Sequence, residues 1–111
     1  MLPSAKRLST LEFKVVIEKG AFFHSDFILL RAIKTKEKSR FAVSVPKKVA
    51  KTAVLRNKIR RRVYSAIGAM GPMINLGFNA ILIMKSGVER ASFEELASDI
   101  RKIFVKSGII K

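Results

Sequence analysis

The stretch Val45-Pro46-Lys47-Lys48-Val49-Ala50-Lys51-Thr52-Ala53-Val54-Leu55-Arg56-Asn57-Lys58-Ile59-Arg60-Arg61-Arg62-Val63-Tyr64 decides how this chain folds. Leu55, Ile59 and Val63, continued by Ala66, Ile67 and Met70, form one stripe at helical spacing. That spacing predicts a helix over 53–69, ended by Gly68, Gly71 and Pro72. Asn57, Arg61 and Tyr64 fall together at i, i+4 and i+7 away from the stripe. Arg60 flanks them, one turn beyond Arg56, and Lys58 and Arg62 line the other flank. Such a helix packs its apolar back on a sheet and turns its guanidinium groups outward.

The flanking sequence supplies the sheet and two more helices. Phe41, Val43 and Val45 alternate with Ala42 and Ser44, the pattern of a half-buried strand that Pro46 ends. Upstream, Ala21 to Ile33 is aromatic and β-branched and reads as one strand. Polar residues 34–38 form the turn, so the two strands are expected to pair antiparallel. Downstream, Phe78 to Met84 is a nearly continuous apolar run, expected to be a central strand covered on both faces. Ser9 with Glu12, and Ser92 with Glu95, have the spacing of capping boxes. They predict a helix over 9–19, with Leu8 able to staple onto Phe13, and a last helix burying Phe93, Leu96, Ala97, Ile100, Ile103 and Phe104. Gly20 and Gly108 are their natural stops. The expectation is an α/β (α+β sandwich) fold: one domain over 1–111, in the order α-β-β-α-β-α.

The charge is extreme and unevenly placed. In 111 residues, Lys and Arg number 23 against 8 Asp and Glu, a net charge of +15. Lys47, Lys48, Lys51, Arg56, Lys58, Arg60, Arg61 and Arg62 make half the positions from Lys47 to Arg62 basic. No acid occurs between Glu37 and Glu89. One strongly positive face is expected, and a polyanion, nucleic acid first, is the partner that relieves its self-repulsion. Cysteine is absent, which removes disulfides, thiolate metal sites and thiol nucleophiles. No run is long enough to span a membrane. The opening residues lack the apolar segment of a secretory signal. A cytoplasmic protein without a membrane partner is expected.

A catalytic constellation is hard to assemble from these residues. Glu94 and Glu95 begin a helix, where acids favour the dipole. His24, the one histidine, has no evident partner and reads as a surface or core residue before an RNA contact. No glycine-rich phosphate loop is present. Asn57 offers an amide suited to a base edge, a 2′-OH or a metal-bound water.

Arg56-Asn57-Lys58-Ile59-Arg60-Arg61, preceded by Lys47-Lys48-Val49-Ala50-Lys51, resembles the RNR signature of the bacterial ribonuclease P protein component. Leu8-Ser9-Thr10-Leu11-Glu12-Phe13, Phe27-Ile28-Leu29-Leu30 and Ser92-Phe93-Glu94-Glu95-Leu96 resemble that family's first helix, first strand and last helix start. The resemblance implies an RNA-binding subunit of an endoribonuclease whose catalyst is its RNA subunit. The holoenzyme removes the 5′ leader of precursor tRNA with Mg²⁺ held mainly by RNA. It also implies a left-handed βαβ crossover, against the general rule. Carried over by position, Lys47, Lys48, Lys51, Arg56, Asn57, Lys58, Arg60, Arg61, Arg62 and Tyr64 are expected to meet the catalytic RNA. Phe13, Ile17, Ile28 and Leu30 are expected to line a cleft for the leader. By pattern alone, Phe13, Ile17 and Ile28 are equally core candidates. Tyr64 stands where the family usually has Arg, Pro46 where Ser is usual, and Ile17 and Leu30 where aromatics are common. The alternative reading is a basic ribosomal protein or RNA chaperone with no role in cleavage. A DNA-binding regulator is a third, although two strands separate the helices that a helix-turn-helix would need adjacent.

Overall fold

A computed structural model of the chain describes residues 7–75 and 77–110. The opening segment 1–6 lies outside the described residues. The elements run α1 (Thr10–Lys19), β1 (Ala21–His24), β2 (Ile28–Lys34), β3 (Arg40–Ser44), α2 (Ala53–Ala69), β4 (Phe78–Met84) and α3 (Phe93–Ser107). One-turn 3-10 helices at Gly71–Met73 and Val88–Arg90 flank β4.

Both capping boxes form. The hydroxyls of Ser9 and Ser92 accept the N–H groups of Glu12 and Glu95, whose carboxylates accept the serine N–H groups in return. Each reciprocal pair satisfies donors that the first helical turn leaves orphaned. Gly108 ends α3 at φ 85°, a left-handed conformation suited to glycine. At Gly20 the constraint is space: a Cβ there would lie 2.5 Å from the Val16 carbonyl oxygen and 3.2 Å from the Ala32 nitrogen. This close approach lets α1 turn directly into β1.

The four strands form one mixed sheet in the order β1-β2-β4-β3. The expected single strand over 21–33 is a hairpin, β1 and β2, because Ser25 to Phe27 turn the chain. The Ser25 N–H closes that turn on the Ile28 carbonyl at 2.8 Å. The buried Asp99 of α3 holds it, accepting the Ser25 hydroxyl at 2.6 Å and the Phe27 N–H at 3.0 Å. The expected antiparallel pairing of the first two strands is also corrected. β4 lies between β2 and β3, antiparallel to β2 and parallel to β3. β4 wins this place because its apolar run can be covered on both faces. β3, α2 and β4 thus form the parallel βαβ unit.

The main core lies on one face of the sheet. Ile28, Leu30, Ala32, Phe41, Val43, Ala80, Leu82 and Met84 pack there with Ile59, Val63 and Ile67 of α2 and Leu96, Ile100, Ile103 and Phe104 of α3. Phe41 stacks on Phe104 with ring centroids 5.6 Å apart. On the opposite face, among the described residues, lies α1, which contacts β2 and β4.

Candidate nucleic-acid interface

Two surfaces emerge from this layout. The first is the outer side of α2 and the loop leading into it. Lys47, Lys48, Lys51, Asn57, Lys58 and Arg61 are exposed, and Arg56, Arg60 and Arg62 are half-buried. Among the described residues, the ion pairs are Arg40 with Glu12 and with Glu37, so no base from Lys47 to Arg62 is neutralised by a carboxylate. Asn57, Arg60, Arg61 and Tyr64 line a pocket of about 400 Å³ with Arg7 and Val54. Arg60 donates to the Asn57 Oδ1 at 2.7 Å and orients that amide within the pocket.

Two residues of this surface also make contacts within the protein that the sequence did not suggest. Tyr64, expected on the RNA-facing side, is buried, with 8% exposure. Its hydroxyl accepts the Val43 N–H at 3.3 Å, and the Arg7 guanidinium lies 4.7 Å from its ring centroid. Val43 belongs to the edge strand β3, whose outward N–H groups need partners. Leu8 covers the same edge by donating to the Phe41 carbonyl at 3.0 Å. Arg56 points back rather than out: its Nη1 donates to the carbonyls of Ala50 at 3.0 Å and Lys51 at 3.2 Å. It ties the lysine-rich loop to the start of α2.

The second surface is a groove on the α1 face of the sheet. Cross-strand register puts Ser44 beside Ile83, Ile83 beside Leu29, and Leu29 beside His24. Residues directly paired share a face, so these four form one continuous row across all four strands. The neighbouring row, Ala42, Ile81, Arg31 and Phe22, runs under and beside α1. Val16 and Ile81 are fully buried there. Glu12 is pinned towards the next row, Arg40, Asn79 and Ile33, by Arg40, 3.2 Å away. The Ser9 N–H, aided by Arg40, holds the Glu12 carboxyl below the usual carboxylate range. At about 100° per helical residue, Phe13 and Ile17 then occupy the flank of α1 opposite Glu12. That flank is on the side of the Ser44–His24 row. Phe13 is half-buried and Ile17 is 37% exposed.

Ile28 and Leu30, expected to line this cleft, do not. Both are fully buried on the opposite face, under α2 and α3. Leu29 takes the place on the groove floor. The run from Phe27 to Ile33 is apolar at positions of both parities except Arg31, so alternation could not tell the two faces apart. Ser44, Ile83, His24 and Phe22 were not anticipated as groove residues. Their signal is pairing register, which is non-local.

Among the described residues, no group of three or more His, Cys, Asp or Glu side chains is placed to hold a metal ion. The outer side of α2 has no carboxylate. No helix among the described residues is long and apolar enough to cross a membrane.

Comparison with known proteins bears on this geometry. The family model described as Ribonuclease P matches residues 2–108. The chain is 30% identical over 115 residues to the ribonuclease P protein component of Microcystis aeruginosa, covering 98% of this chain and 96% of that protein. It is 29% identical over 116 residues to that of Rippkaea orientalis, covering 98% and 91%. Among solved structures, it superposes on the RNase P protein of Staphylococcus aureus with a TM-score of 0.87 at 21% identity, over 97% of this chain and 100% of that one. For the Thermotoga maritima RNase P protein the TM-score is 0.82 at 20% identity, over 90% and 96%. These structural likenesses establish the shared fold, a three-helix, four-stranded mixed sheet.

Proposed function

The chain belongs to the ribonuclease P protein family, an RNA-binding component of the endoribonuclease that processes tRNA 5′ ends, and on that premise we propose how its two surfaces divide the work. The outer side of α2, with Lys47, Lys48 and Lys51, takes phosphates of the ribonuclease P RNA. The groove beside α1 takes the single-stranded 5′ leader of precursor tRNA. Phe13, Ile17, Leu29 and Ile83 offer apolar area against bases there. Hydrolysis belongs to the RNA subunit with Mg²⁺ bound by RNA, and the protein's part is to bind and orient. Asn57 is suited to bond an RNA group or a metal-bound water through its amide.

One observation carries this reading: an uncompensated basic helix and, on the same molecule, a sheet face beside α1 on which Leu29 and Ile83 pair across the strands next to the partly exposed Phe13 and Ile17. Basic charge alone suits any RNA. The groove adds a place for unpaired nucleotides. The test is reconstitution with a bacterial ribonuclease P RNA at low Mg²⁺. The protein should restore cleavage of precursor tRNA at its mature 5′ end. Tight RNA binding without any gain in cleavage would instead favour a ribosomal or chaperone role.

A further inference from the structure

The groove floor does not stop at its apolar centre. It ends on the sheet's edge strand, β1, where Phe22 is 55% exposed. An isolated exposed apolar side chain needs no explanation. This one is held on two sides. The Arg31 guanidinium carbon lies 5.6 Å from the Phe22 ring centroid. Arg31 is itself fixed, since its Nη1 donates to the Ile17 carbonyl in the last turn of α1. On the other side the exposed His24 ring lies 6.1 Å from Phe22, tilted by 52°. Phe22 pairs with Arg31 and His24 with Leu29, so all three side chains are on the groove's face.

An exposed aromatic ring, a planar cation over it and an imidazole beside it are the groups on which unpaired RNA bases stack. We propose that Phe22, with Arg31 and His24, forms a stacking platform at the β1 edge for leader nucleotides that have already crossed the sheet. The proposal rests on the assignment of the groove to the leader. A strand entering at β3 crosses three strand spacings to reach β1, about 14 Å. A leader too short for that distance cannot touch the platform. Arg31, locked to the end of α1, orients the ring. Phe22 is the residue that touches the base.

The experiment uses the holoenzyme, reconstituted with ribonuclease P RNA, and precursor tRNAs whose leaders are either too short or long enough to reach β1. Phe22→Ala should weaken affinity for the long-leader substrate about 5-fold or more, the loss of one stacked base. It should leave the short-leader substrate unchanged. Phe22→Tyr, which keeps the ring, should restore long-leader affinity. Phe13→Ala serves as the reference for the groove itself. If Phe13→Ala shows a leader-dependent loss and Phe22→Ala shows none, the platform is refuted while the groove assignment stands. If neither variant depends on leader length, the groove assignment fails and takes the platform with it. A Phe22→Ala loss that is equal for both substrates and tracks a fall in melting temperature would reduce Phe22 to a structural role.

Discussion

Arg56 and Arg61 belong to the same basic motif, yet their environments differ. Arg61 is exposed and lines the pocket with Asn57 and Tyr64. Arg56 spans two backbone carbonyls at 3.0 and 3.2 Å. Arg61→Ala should therefore lower the salt slope of RNA binding by about one counterion and leave stability unchanged. Arg56→Ala should also lower stability by about 1–2 kcal/mol, because two carbonyls lose a charged donor. Its effect on RNA affinity should be less than additive with substitution of Lys47, Lys48 and Lys51, whose loop it holds. Urea denaturation beside binding isotherms at several salt concentrations separates the two. Equal stability of both variants would contradict the bracing role. The basic cluster itself was legible from residue types. The turn of Arg56 inward was not, since its acceptors are backbone carbonyls, which every sequence has.

At the scale of elements, the capping boxes are the clearest case of local determination. Ser9 and Glu12, like Ser92 and Glu95, are three residues apart and meet through bonds that involve no other element. Their carboxyls are held below the ordinary value of 4.5, first by the serine backbone N–H groups and, at Glu12, also by Arg40. The folded values are depressed, so the stabilisation is present above 4.5 and is lost as pH falls through the lower folded values. Replacing Glu12 and Glu95 by Gln should lower the melting temperature at neutral pH. The gap from wild type should close as pH drops below 4.5, which thermal melts across an acid series will read. A gap that widens in acid would reverse the sign of this linkage. Strands were less legible. Alternation marked β3 and continuity marked β4, but the turn at Ser25 depends on Asp99, 74 positions away.

For the molecule as a whole, the net charge of +15 sets two opposed salt dependences. The bases from Lys47 to Arg62 have no carboxylate partner among the described residues, so the free protein carries their mutual repulsion. Screening reaches about 10 Å at 0.1 M salt. Added NaCl should therefore raise the melting temperature of the free protein. The same salt should weaken its binding to ribonuclease P RNA, by a log–log slope of roughly 0.7–0.9 per phosphate contacted. Melts and binding measurements in one salt series check both signs. A melting temperature that falls with salt would mean that attractive pairs, not repulsion, dominate the surface.

The sequence by itself determined the three helices, the capping boxes of α1 and α3, the apolar stripe of α2 and the uncompensated basic surface opposite it. These are contacts or patterns within a few residues along the chain, where backbone geometry converts spacing directly into position. Only the tertiary structure decided that β4 separates β2 from β3, that Tyr64 turns inward to cover the β3 edge, and that Leu29 rather than Ile28 or Leu30 floors the groove. The physical reason is that strand partners and sheet faces are chosen by competition for burial between distant segments. A strand apolar on both sides satisfies either choice until α1, α2 and α3 have taken their places.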